Sequence, residues 1–200
     1  VSKAKQLFFE TLTVFAGIEL RQAYLAPDTL KRILSSQHYD IVLTSLSCWR
    51  REEPFGLSPH MPQQAFNAFA DRYCELLRQT IETTDFDVLS RLLAPLRETL
   101  ADYSYFEERV KKVLTLLAVN EKALEIDTRD ILGSERIRDL YLRLIGYFRQ
   151  AGGKYITFGS ECTSHDELGS GIDLAMNAAK RAGFSQVTFY DRRIPYTVDL

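Results

Sequence analysis

Residues 156–171 read Ile156-Thr-Phe-Gly-Ser-Glu-Cys-Thr-Ser-His-Asp-Glu-Leu-Gly-Ser-Gly171. A short β-type apolar run breaks into a glycine-flanked loop that carries a carboxylate, a thiol, hydroxyls and an imidazole. Such a pattern suits the carboxyl end of a buried strand, where a fold of parallel strands keeps its chemistry.

The same pattern recurs along the chain. Val14–Leu20, Ile41–Leu46, Phe86–Ser90, Ala123–Asp127, Tyr155–Phe158 and Gln186–Tyr190 read as six short strands. Amphipathic helices alternate with them. The clearest runs from Pro62 to about Thr84, with Phe66, Phe69, Ala70, Tyr73, Leu77 and Ile81 at helical spacing. Strands that are apolar on both faces and separated by helices predict parallel βα units. A closed or nearly closed barrel is expected, since no glycine-rich phosphate fingerprint follows the first strand.

Composition narrows the function. In 200 residues, 25 Lys and Arg face 27 Asp and Glu, a net charge of −2. That balance offers no broad basic field, so no nucleic acid is expected as a partner. No apolar run approaches the roughly 20 residues of a membrane span. Val1–Glu10 mixes charges and lacks the apolar core of a secretory signal. Cys48, Cys74 and Cys162 are odd in number and widely spaced, which fits a reducing, cytoplasmic setting. One domain over residues 1–200 is expected.

Five motifs in order carry a resemblance. They are Phe15-Ala-Gly-Ile-Glu19, Asp40-Ile-Val-Leu-Thr-Ser-Leu-Ser47, Phe86-Asp-Val-Leu-Ser-Arg91, Leu124-Glu-Ile-Asp-Thr128 and Gly159-Ser-Glu-Cys-Thr-Ser-His-Asp-Glu-Leu-Gly169. Together they resemble strand-end motifs of the polymerase-and-histidinol-phosphatase (PHP) family, specifically its histidinol-phosphatase branch. The resemblance implies a distorted seven-stranded, TIM-barrel-like (β/α) barrel. It also implies clustered His, Asp and Glu that hold two or three divalent metals (Zn, Mn or Fe) and a phosphate monoester.

The departures are chemical. The family's first strand, with its His-x-His pair, is expected to be missing from this chain. Glu19 keeps an acidic ligand position, and Glu161 stands where the family has Asp. Three other ligand positions carry Ser47, Arg91 and Thr163. A guanidinium stays protonated and repels a neighbouring cation. Arg91 is therefore expected to pair with Glu19 or Glu161, filling a metal's electrostatic place.

Arg91 and Arg193 are the candidate anion contacts, with ion pairing to Asp191 or Asp199 an equally simple role for Arg193. Trp49, Arg50 and Arg51 form a second candidate pocket at the barrel mouth. His38, His60 and His165 are read as loop residues, and Cys162 as a small packing residue.

The favoured reading is an inactive domain with its metal site lost and no cofactor, binding a small anionic ligand or a protein partner. The alternatives are an active metal-dependent phosphomonoesterase of the histidinol-phosphate type, and an interaction module completed by another chain.

Overall fold

The computed structural model describes residues 1–50 and 53–200. Arg51, part of the second candidate pocket, lies outside the described residues. A short helix α1 (Ser2–Leu7) precedes strand β1 (Gly17–Arg21). Then come α2 (Pro27–Ser36), β2 (Ile41–Ser45), α3 (Gln63–Thr83), β3 (Val88–Leu89) and α4 (Ser104–Val119). The chain continues through β4 (Ala123–Asp127), α5 (Thr128–Leu132), α6 (Glu135–Gln150), β5 (Ile156–Gly159), α7 (Ile172–Arg181), β6 (Gln186–Asp191) and β7 (Ile194–Asp199).

Strands β1 to β5 form one parallel sheet in sequential order. Alternation along each strand sorts side chains to two faces. Leu20, Val42, Leu124 and Ile126 join the main core with the helices. The other face turns inward. Near the strand starts it is apolar, where Ile41, Leu43, Val88, Ala123, Tyr155 and Tyr190 pack together. Near the strand ends it carries Glu19, Ser45, Glu125 and Asp127. The sheet thus has a dry floor and a polar mouth.

The helical layer grows from the periodicity of α3. Phe66, Phe69, Tyr73, Leu77 and Ile81 are all buried, and their rings meet Phe106 and Tyr103 of the α4 region. Each such aromatic contributes on the order of 1.5–3 kcal/mol by leaving water. Trp49 also belongs to this layer: it is buried against Phe55 and Phe69, with Arg72 stacked over its ring at 4.3 Å.

The sixth expected strand differs from its reading. β6 does not extend the parallel sheet. It pairs antiparallel with β7, a strand the sequence reading did not contain. The turn is Arg192-Arg193, both left-handed with φ of 51° and 67°. Two consecutive left-handed residues make the hairpin turn that matches strand twist, normally a task for Asn and Gly. Pro195 fits because β7 pairs on one side alone. Among the described residues no strand pairing joins β5 to β1, so the parallel sheet is curled rather than closed by hydrogen bonds.

The hairpin turn reaches the amino-terminal ends of the sheet. Arg193 N–H donates to the Asp40 carbonyl at 2.9 Å, and Arg192 N–H to Asp40 Oδ1 at 3.2 Å. The Arg193 side chain contacts Asp87 Oδ2 at 2.5 Å and Asp85 Oδ1 at 2.8 Å. Asp87 in turn accepts from Val42 N–H at 2.8 Å. No helix is long and apolar enough to cross a membrane among the described residues.

Candidate active-site cleft

The carboxyl ends of the strands surround a cleft of about 380 Å³, lined by Glu19, Arg21, Ser90, Arg91, Glu125, Arg129, Glu161, Cys162 and Thr163 among others. A groove of about 420 Å³ between α3 and α4 is larger. Most of its charged lining is already paired, Arg78 with Glu75 and Glu82, Arg109 with Asp71. The strand-end cleft is where unlike functional groups converge.

Strand geometry places them. Glu19 and Arg21 share one face of β1, as Glu125 and Asp127 share one face of β4. Three residues that follow strands adopt left-handed backbone: Gln22 after β1 (φ 48°), Arg91 after β3 (φ 58°) and Glu161 after β5 (φ 46°). Such conformations cost non-glycine residues about 1 kcal/mol or more and concentrate at functional sites. Gly159 makes room: an added Cβ would lie 2.3 Å from Glu125 Oε1. Gly159→Ala is accordingly expected to cost roughly 1–3 kcal/mol through overpacking. Thermal melts of this variant, alone and combined with Glu125→Ala, check the cause, since the second change should recover part of the loss.

Two guanidiniums sit among the carboxylates. Arg97 bridges three at once: Nε to Asp130 Oδ1 at 2.7 Å, one Nη to Asp127 Oδ2 at 2.6 Å, and the other to Glu161 Oε2 at 2.9 Å. Arg91 Nε lies 2.6 Å from Glu161 Oε1, and its Nη lies 3.7 Å from Glu19 Oε1. The Arg91–Glu161 contact is one of charge: its N–H is not aimed at that oxygen, which lacks a hydrogen-bond partner. Arg129 and Arg21 approach Glu161 and Glu19 loosely, both at 3.7 Å, and remain about half exposed.

Burial sets the protonation of the cluster. Glu125 is pushed up to about 8, first by burial and then by the Asp127 charge. Burial and the Asp130 charge raise Asp127, and burial raises Asp130 despite its bond from Arg97. Burial pushes Glu161 the same way, but the Arg97 hydrogen bond and charge outweigh it and hold this carboxyl below its ordinary range. Asp127 also fixes the local backbone, accepting from Arg129 N–H at 2.9 Å to cap α5.

The structure brings Glu19, Arg91, Glu161 and Thr163 to the cleft. Thr163 is turned to its own loop, where its N–H and hydroxyl face Glu167 Oε2 at 3.2 and 3.4 Å. Ser47 is on the rim. With the Gln22 amide oriented to satisfy both ends, its oxygen accepts from Ser47 N–H at 2.6 Å and Ser47 Oγ at 2.9 Å. Arg193 stands apart, at the opposite ends of the strands with Asp85 and Asp87, not with Asp191 or Asp199. His165 is 91% exposed beside Asp166. All three cysteines are free. Sequence reasoning missed Arg97, Asp130, Arg129 and the buried Glu125.

A strand-end cleft dense in carboxylates lies on a curled parallel α/β sheet. Comparison with known proteins gives the relatives. No family model matches. A probable histidinol-phosphatase of Thermotoga maritima is 27% identical over 122 residues, 61% of this chain and 52% of that protein. A histidinol-phosphatase of Lactococcus lactis is 33% identical over 79 residues, 40% of this chain and 29% of that protein. The chain thus spans about half, or less, of the curated relatives it matches. In fold it is similar to the histidinol phosphate phosphatase of L. lactis, solved in complex with Zn, L-histidinol and phosphate. The TM-score is 0.82 at 19% identity, covering 98% of this chain and 76% of that one. By sequence and by fold, this chain has histidinol-phosphatases of the PHP family as its homologues.

A zinc-type centre does not fit the residues present. Among the described residues no imidazole lines the cleft, and the Arg91 and Arg97 side chains contact the carboxylates that would serve as ligands. Among the described residues no group of three or more His, Cys, Asp or Glu is arranged to hold a metal ion. A divalent cation beside a fixed guanidinium in a partly buried cleft meets repulsion of several kcal/mol, about 8 at 4 Å for an effective dielectric of 20.

Proposed function

We propose that this chain is a histidinol-phosphatase-like domain, one unit over residues 1–200, that has exchanged its metal chemistry for internal ion pairing. It does not hydrolyse phosphomonoesters. It works in the cytoplasm and binds a small anionic ligand of the phosphate or carboxylate kind. The observation that carries the reading is Arg97, held by three carboxylates from separate elements.

The anion contacts are Arg91 with Arg21 and Arg129. All three line the cleft, and Arg21 and Arg129 keep about half their side-chain surface in water. Carrying a proton on Glu125 at neutral pH removes one competing negative charge. A phosphate dianion would meet planar donors suited to bidentate contact. The L. lactis structure, with its bound phosphate and histidinol, supports this choice of ligand class.

Metal analysis of the purified protein, with turnover of histidinol phosphate in added Mn²⁺ or Zn²⁺, tests the reading. Substoichiometric metal and no turnover above background are expected. Stoichiometric metal with turnover contradicts it and favours an active phosphomonoesterase. Calorimetric titration with inorganic phosphate should show binding, weakened about tenfold in Arg129→Ala if one charge-assisted hydrogen bond is lost.

A further inference from the structure

A groove of about 340 Å³ lies between α6 and α7, beside α5. It shares no lining residue with the strand-end cleft. Its apolar lining is Ile131, Leu132, Leu142, Leu174 and Ala178. Leu132 is 50% exposed and Leu174 48%. Arg138 and Arg181 line the same groove. Helical spacing brings them there, since Arg138 shares a face of α6 with Leu142, and Arg181 a face of α7 with Leu174. Arg78, Arg97, Arg109, Arg143 and Arg193 are held by carboxylates. Among the described residues Arg138 and Arg181 have neither an ion pair nor a side-chain hydrogen bond.

An exposed apolar groove with two uncommitted cations suits an occupant that carries an apolar group beside carboxylates. The chain presents one next to the groove. The loop between β5 and α7 contains His165-Asp166-Glu167-Leu168. Leu168 is 75% exposed and Asp166 81%. Both carboxylates are engaged inside their own loop alone, Asp166 with His165 Nε2 at 2.9 Å and Glu167 with the Thr163 N–H and hydroxyl. The far end of the loop is anchored at the groove. The Thr128 hydroxyl donates to the Ser170 carbonyl at 2.6 Å, and a Cβ on Gly171 would lie 3.0 Å from Leu132 Cδ1. Leu168 is not part of the lining of its own groove.

We propose that this face binds a second copy of the chain. Leu168 of each protomer enters the α6–α7 groove of the other, with Asp166 and Glu167 facing Arg138 and Arg181. Groove and loop adjoin on each chain, so a two-fold axis makes both contacts at once and the assembly closes as a dimer. The arginine–carboxylate pairs set the register, and the leucines leave water.

Sedimentation tests this. The wild-type chain at up to about 100 μM, where a micromolar contact is nearly saturated, should be a dimer. Arg138→Glu with Arg181→Glu reverses the groove, and Asp166→Lys with Glu167→Lys reverses the loop. Each double variant alone sets like charges together and should be monomeric. A loss of about tenfold per contact, counted twice by symmetry, raises Kd about 100-fold. Mixed in equal amounts, the two should form a heterodimer, because every reversed surface then meets its opposite. None of the four positions is buried, and circular dichroism before mixing verifies folding. Leu168→Asp should abolish the wild-type dimer independently.

A wild-type monomer at every concentration overturns the proposal and leaves the groove to another protein or a small amphipathic anion. A dimer that survives the reversals or Leu168→Asp overturns it too, as do folded reversed variants that fail to pair on mixing. None of these results touches anion binding in the strand-end cleft, which is measured by phosphate titration.

Discussion

Glu125→Gln is expected to stabilise the protein at pH 8 by on the order of 3 kcal/mol and to change little at pH 4. The carboxyl is buried on the inward face of β4, and its pKa rises from 4.5 to about 8. Between those values the folded protein holds a proton that the unfolded chain has released. Stability therefore falls as pH rises, by up to about 1.36 kcal/mol per unit of pKa difference. The contribution is fully present below pH 4.5 and is lost as pH passes 8. Glutamine cannot ionise, yet it still offers an oxygen to the Arg91 N–H that Glu125 accepts at 3.3 Å. Denaturant unfolding from pH 4 to 9 should give a flatter profile for the variant. Asp127, raised by the same burial, leaves some slope in both proteins. Parallel profiles would refute the assignment.

Arg193→Ala is the second large effect, at the other ends of the strands. Its guanidinium is the ion partner of Asp87, which is 8% exposed and receives one further bond, from Val42 N–H. Removing one partner of a buried pair strands the other, at about 3–5 kcal/mol when both are fully buried. The Arg193 side chain is 26% exposed, so about 2–4 kcal/mol is expected. Burial already raises Asp87 even with Arg193 in place. Without it the carboxyl rises further, so the gap between variant and wild type should widen with pH. Equilibrium unfolding at pH 5 and pH 8 measures this, and Asp87→Asn in the same background should recover part of the loss. A loss independent of pH would point to the turn backbone rather than the ion pair.

Much of the fold was legible because strands apolar on both faces leave a simple signature. β4 has the limits read from Ala123-Leu-Glu-Ile-Asp127, and the five parallel strands appear where expected. The hairpin was not legible. Its turn is Arg-Arg where glycine or asparagine would signal two left-handed residues. α5 is five residues long and starts on the cap supplied by the last residue of β4, too short for periodicity to register.

The site divides the same way. Glu19 lies within β1, and Arg91, Glu161 and Thr163 follow strands, so their convergence could be read. Arg91 contacts both carboxylates expected for it. Arg97 could not be read. It follows a short 3-10 turn at Ala94–Leu96, and its three partners lie 30, 33 and 64 residues away. Nothing local marks it as different from any other surface arginine. Glu125 sits inside an apolar strand, where only the tertiary environment shows that it faces a cleft.

Anomalous diffraction from a crystal of the wild-type protein grown in excess Mn²⁺ tests the central claim most directly. The expected result is the Arg97 guanidinium between Asp127, Asp130 and Glu161, with no anomalous peak among them. A strong peak at that position, with Arg97 turned away, would contradict the account.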